Sequence, residues 1–225
     1  MNEDDLWAAI DTQRLRTTDL LATLSPADWN RRSLCEGWTV RDVAAHLTMQ
    51  QLTIWDGLRL ALRHPPLGGM NRMIHTFARG RSGMPTEQMI AEIRGMVGSR
   101  RHNVGVTPFE TLIDIVVHGQ DIAVPLGRSL PVPPEVSATA ASRVWDYQSS
   151  RGGRRTASVF KSLPYDGLRM VATDTDWSVG EGPELRGPVL SLLLLLTGRQ
   201  VVLPELAGPG AAVLTERLAA VRSRV

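Results

Sequence analysis

The run Pro131-Val132-Pro133-Pro134 constrains this chain more than any other feature. Proline fixes φ, lacks an N–H and drives the preceding residue out of the helical region. Neither a helix nor an interior strand continues through such a stretch. It divides the 225 residues into segments 1–130 and 131–225, which differ in texture. The length suits one large domain or two small ones.

Before the divide the chain reads as helix punctuated by stops. Apolar positions Leu6, Ile10, Leu20, Leu21 and Leu24, with Trp7 beside them, predict a helix over 3–24 with one buried stripe. Ser25-Pro26 reads as an N-cap followed by proline at the first helical position, opening a short turn through Trp29. Leu34 to Trp38 reads as a loop. Thr39-Val40-Arg41-Asp42 approximates a capping box and starts a helix predicted to reach Arg63, where His64-Pro65-Pro66 stops it and Gly68-Gly69 follows. Further helices are predicted over 70–80, over 86–101 after Pro85, and from Thr107-Pro108 to Ala123, ahead of Pro125 and Gly127. After the divide, a helix over 134–149 and a Gly/Arg-rich loop at 151–155 are expected. Leu168 to Thr173 and Trp177 to Val179 read as two strands joined in a hairpin by Asp174-Thr175-Asp176. Helices over 187–198 and 209–222 complete the chain. The fold class expected is α+β: a bundle of four principal helices in 1–130, then a small α+β domain in 131–225.

Composition narrows the function. Hydrophobic residues make up 43% and charged residues 21%, as in an ordinary globular protein. The 25 basic residues barely exceed the 23 acidic ones, and the arginine pairs 31–32, 100–101 and 154–155 are short and scattered. That gives no electrostatic footprint for nucleic acid. The single cysteine, Cys35, allows no disulfide within the chain, and the acidic start lacks the pattern of a signal peptide, so a cytoplasmic protein is expected. The most apolar run, around 189–196, is too short to span a bilayer and reads as a buried helix.

Three residues carry the chemistry. Asp114 and His118 are four apart on the predicted 107–123 helix, so they project from one face one turn apart. Asp121 follows on the same side, as a ligand or as an acceptor orienting the His118 ring. His46 lies at the edge of a stripe formed by Val40, Val43, Leu47, Ile54 and Leu58, with Gln50 one turn after it. Two imidazoles and a carboxylate suit zinc with one position open, and would also accept nickel, iron or manganese. On spacing alone, a core histidine and a chance Asp-x-x-x-His pair explain the same residues.

Longer motifs add to this. Cys35-Glu36-Gly37-Trp38-Thr39-Val40-Arg41-Asp42-Val43-Ala44-Ala45-His46-Leu47 resembles the start of the second helix in the mycothiol-dependent maleylpyruvate isomerase family of actinobacteria, part of the DinB-like group of metal-binding four-helix bundles. Val117 to Ala123 with Pro125-Leu126-Gly127-Arg128, and Ala172 to Gly180 with Glu184 to Pro188 and Leu195 to Arg199, resemble later segments in the right order. The resemblance implies metal ligands at His46, Asp114 and His118, with Asp114 standing where the family usually has glutamate. It implies a divalent metal and mycothiol as cofactors. It also suggests that Arg199 faces the site, where a guanidinium would suit substrate carboxylates; a surface arginine after a helix C-terminus, where a cation is favoured, explains the residue equally.

Asn71, His75 and Arg79 share a face of the predicted 70–80 helix and would line the thiol site or form a solvated face. Cys35 is expected to be a buried structural thiol, Trp38 to pack under the helix start, and Trp177 to pack on the Leu192–Leu196 helix. Two readings follow. One is a metal- and mycothiol-dependent isomerase or thiol transferase acting on a small electrophile, as a monomer or homodimer. The other is a non-catalytic metal-binding protein with a thiol-sensing or stress-response role.

Overall fold

The computed structural model describes residues 1–52, 70–103, 105–149 and 163–223. The expectations for 53–69, including Ile54, Leu58 and the His64-Pro65-Pro66 stop, and for the 151–155 loop lie outside the described residues. The chain forms two compact units, Met1–Pro131 and Val132–Val225.

In the first unit, α1 (Glu3–Ala22) is capped by Asn2, whose Oδ1 accepts from the Asp5 amide at 2.8 Å. Glu3, Asp4 and Asp5 place negative charge in the first turn, where the helix dipole favours it. Its buried face is apolar only towards the ends, at Leu6, Trp7, Ile10 and Leu21. The middle is Gln13, Arg14, Thr17 and Thr18, all buried. Leu20 and Leu24 of the expected stripe are half-buried. The short α2 (Pro26–Trp29) is closed by a Ser25/Asp28 capping box.

Helix α3 (Val40–Leu47) begins at the expected Thr39 capping box but ends well before Arg63. Thr48 caps it with Oγ1 bonded to the Ala45 carbonyl at 2.7 Å. The Leu52 amide then turns outward to Asn103 Oδ1 at 2.8 Å, a partner no local pattern reveals. Helices α4 (Met70–Arg81), α5 (Thr86–Arg94) and α6 (Pro108–Ala123) follow. The expected 86–101 helix stops at its Gly95 C-cap, because Gly98 turns the chain at φ +80°, a conformation glycine adopts without strain. A 3-10 turn, Val124–Leu126, ends α6. Helix α1 packs on α5 and α6, and α3 packs on α4, α5 and α6. Their shared core includes Ile10, Val40, Val43, Leu47, Met89, Ile93, Leu112 and Ile115. Arg41 ties α3 to the α4–α5 connection, donating to the carbonyls of Ser82 and, at 2.6 Å, Met84.

In the second unit, α7 (Pro134–Ser149) is followed by β1 (Arg169–Ala172), β2 (Ser178–Val179) and β3 (Glu184–Gly187), in sheet order β2-β1-β3. The hairpin is present, with Met170 opposite Val179 and Val171 opposite Ser178. The third strand, parallel to β1 with Met170 beside Leu185, was not anticipated: four residues show too little alternation to be read. Its position depends on Gly180 and Gly182, which take φ +80° and +113°. A Cβ on them would lie 2.4 Å from the Leu168 carbonyl oxygen and 2.2 Å from that of Gly167, so only glycine lets the chain cross there. Helix α8 (Val189–Leu196) has its first amide held by Asp174 Oδ1 at 2.9 Å and packs on α7 and β1. Trp177 is buried, and its indole N–H donates to Ser142 Oγ on α7 at 2.9 Å. A 3-10 segment (Gln200–Glu205) leads to α9 (Pro209–Arg222), which covers β3. Among the described residues, no helix is long and apolar enough to cross a membrane.

Candidate metal centre

Helices α3 and α6 supply the site, and each is fixed at its start by reciprocal capping. Asp42 Oδ2 accepts from the Thr39 amide at 2.9 Å while the Asp42 amide donates to Thr39 Oγ1 at 3.2 Å. Glu110 closes the equivalent box on Thr107, with Pro108 at the first helical position. With both starts set, the seventh residue of each helix falls at the packed α3–α6 interface: His46 and Asp114.

His46 Nε2 lies 3.0 Å from Asp114 Oδ1, and His118 Nε2 lies 3.4 Å from the same oxygen. The two rings meet edge to face at 4.8 Å between centroids. Burial penalises a charged His46, but the neighbouring Asp114 carboxylate outweighs it and the net shift is upward. Burial likewise raises Asp114, but His46, His118 and a hydrogen bond from Gln50 outweigh it and hold the carboxyl far below its ordinary range. The site therefore presents a permanent anion flanked by two imidazoles. The donor atoms of His46, Asp114 and His118 lie within 4.8 Å of one another, a set that fits one divalent ion.

A second group, Cys35, His118 and Asp121, converges equally closely. His118 belongs to both, so its ring protonation separates them. Asp121 is fully buried and its Oδ2 lies 2.8 Å from His118 Nδ1. The same oxygen accepts from Cys35 Sγ at 3.1 Å. An ionised carboxylate only accepts, so Nδ1 carries a proton towards Asp121, and Nε2 is the ring nitrogen that faces His46 and Asp114. The first group is therefore the better candidate for an ion, and Asp121 bonds to His118 on the far side of the ring from it. Cys35 is half-buried and bonded into this pair, 3.7 Å from His118 Nδ1, rather than enclosed in the core as expected.

Trp38 is buried as expected, but its neighbours are the site histidines. Its ring stacks on His118 at 6.3 Å and tilts against His46 at 5.4 Å. Its Nε1–H donates to His75 Nδ1 at 2.6 Å. His75 is shifted down, first by burial and then by Arg79, against the pull of Asp42, consistent with a neutral ring that accepts this bond. Arg79 donates to the Gly37 carbonyl at 3.1 Å. His75 and Arg79 thus hold the loop that walls the metal group. The Asn71 side chain lies outside the described residues. Arg199 belongs to the second unit, where its Nη1 donates to the Thr197 carbonyl at 2.6 Å.

Sequence reasoning missed two contributors. Gln50 Nε2 donates to Asp114 Oδ2 at 2.7 Å, and Arg14 Nε donates to Gln50 Oε1 at 3.3 Å. The available signal was the polar run that breaks the α1 stripe between Ile10 and Leu20. A polar residue on a buried face has to be satisfied from elsewhere.

Residues 10–108 match the family described as the mycothiol maleylpyruvate isomerase N-terminal domain. Two solved structures are similar over 94% of this chain and 94% of theirs. One is the mycothiol-dependent maleylpyruvate isomerase, 12% identical with a TM-score of 0.58. The other is a histidine-to-alanine mutant of that enzyme, 11% identical with a TM-score of 0.63. At such identity the likeness shows the fold. No curated protein sequence matches the chain.

Proposed function

Because residues 10–108 match the mycothiol maleylpyruvate isomerase N-terminal domain family, we propose that the chain is a metal- and thiol-dependent enzyme, with mycothiol as its thiol and a small electrophile as its substrate. The observation that carries this reading is the convergence of His46, Asp114 and His118, with His118 oriented by the buried Asp121. A divalent ion held there would keep a bound thiol in the thiolate form, the nucleophilic state needed for isomerisation by addition and elimination or for thiol transfer.

The chain's own residues set the conditions for that chemistry. Asp114 supplies a carboxylate that stays ionised at any physiological pH. Asp121 holds the proton on His118 Nδ1 so that Nε2 stays available. Trp38 closes one side of the group with apolar surface, which limits water around a bound thiolate. Arg199 is proposed as the partner of a substrate carboxylate, a role its planar fork suits.

The proximity of Cys35 to His118 favours a second reading, a non-catalytic metal-binding protein that senses thiols. Metal content and the cobalt(II) spectrum separate the two. His46→Ala and His118→Ala should each lose the ion that the wild type holds. Mycothiol added to the cobalt form should produce a sulfur-to-metal charge-transfer band and support turnover of an electrophilic substrate. A band without turnover favours the sensor. Stoichiometric metal in both variants would remove the site altogether.

A further inference from the structure

Among the described residues Arg14 is the largest fully buried side chain, and a guanidinium in that position needs a reason. Burial lowers its pKa, opposed by Asp11 and, more weakly, by Asp114. Its Nη1 donates to the Met96 carbonyl at 2.9 Å and to Asp11 Oδ1 at 3.2 Å, which fixes the plane of the fork. Its Nε then points at Gln50 Oε1. Gln50 is 4% exposed and sits one turn beyond His46.

A glutamine amide can usually be turned end for end without penalty. Here it cannot. Arginine only donates and an ionised carboxylate only accepts, so Oε1 must face Arg14 and Nε2 must face Asp114. The amide is thereby a fixed donor, and it occupies Asp114 Oδ2 at 2.7 Å. The other oxygen, Oδ1, is the one both histidines face.

We infer that Gln50, locked by Arg14, is a positioning residue that reserves one oxygen of Asp114 and makes the carboxylate a one-oxygen ligand. The inference rests on the proposed metal site and adds what selects the ion. A carboxylate limited to one oxygen suits a four-coordinate ion such as zinc. A carboxylate free to offer both oxygens suits larger cations of higher coordination number, such as manganese.

The test uses the whole chain with zinc, manganese and cobalt(II) as probes. Gln50→Met keeps length and volume but removes the donor. Its zinc affinity should fall about tenfold or more, and its preference for zinc over manganese should narrow. Its cobalt(II) d–d bands should weaken as coordination number rises. Arg14→Lys keeps the buried charge but drops the fork, and should reproduce part of the same spectral change. Gln50→Leu serves as a second variant should Gln50→Met fail to fold, and melting of the metal-free forms reports folding. Wild-type affinities and an unchanged cobalt spectrum in a folded Gln50 variant would overturn the inference while leaving the metal site standing. A wild type that binds none of the three ions would overturn the metal site, and the inference with it.

Discussion

Asp121→Asn tests whether the outer partner of His118 tunes the site. Two donors converge on Asp121 Oδ2: His118 Nδ1 at 2.8 Å and Cys35 Sγ at 3.1 Å. Asparagine keeps the size and an acceptor oxygen but removes the charge. Hydrogen bonds to a charged group contribute about 1.5–3 kcal/mol and neutral ones about 0.5–1.5 kcal/mol. The His118 bond therefore weakens by about 1–1.5 kcal/mol; because it is present without metal as well, the loss of zinc affinity is at most roughly five- to twelvefold at about 1.4 kcal/mol per tenfold. Asp121→Ala removes the acceptor entirely and should reach the roughly 10- to 100-fold losses seen when a ligand loses its outer partner. Competition against a chromophoric chelator measures both, and melting of the metal-free proteins checks that the buried position still packs. If both variants bind zinc within about twofold of wild type while His118→Ala binds none, Asp121 does not tune His118 and the reasoning fails.

The pH dependence of the metal-free protein follows from the same group. His46 is shifted up from 6.5, so its contribution is complete below that value and is lost as pH rises through its folded value; Asp114 is shifted down from 3.8, so its contribution is present above 3.8 and is lost as pH falls through its own. The melting-temperature gap between chelator-treated wild type and Asp114→Asn should therefore be widest between those two values and shrink above 6.5, and a gap that is flat with pH would contradict the pairing. Thr39→Ala removes the capping bond at the start of α3 and should cost about 1 kcal/mol in urea unfolding; an unchanged midpoint would show that tertiary packing alone sets that helix start.

The sequence by itself determined the features governed by neighbours in the chain. Ser25-Pro26, the Thr39/Asp42 capping box and Thr107-Pro108 start α2, α3 and α6 where the sequence places them, because a cap and a proline at the first helical position act over three residues or fewer. The Asp114/His118 pairing was legible for the same reason, one helical turn being a local geometry. The association of both with His46 came from longer motifs, and the fold class from those motifs together with the two textures of the chain.

Only the tertiary structure decided what depends on distant partners. Helix α3 ends at Leu47 and the chain beyond it is held at Leu52 by Asn103, and β3 exists because two glycines let the chain cross the start of β1. Two candidate metal groups share His118, and the buried Asp121 bond to Nδ1 leaves Nε2 as the nitrogen facing His46 and Asp114. The Arg14–Gln50–Asp114 chain joins residues 36 and 64 positions apart. Hydrophobic periodicity shows which face of a helix is buried. It does not show which polar side chains on that face will find one another, because each of those bonds is set by the packing of two helices and not by the sequence of either.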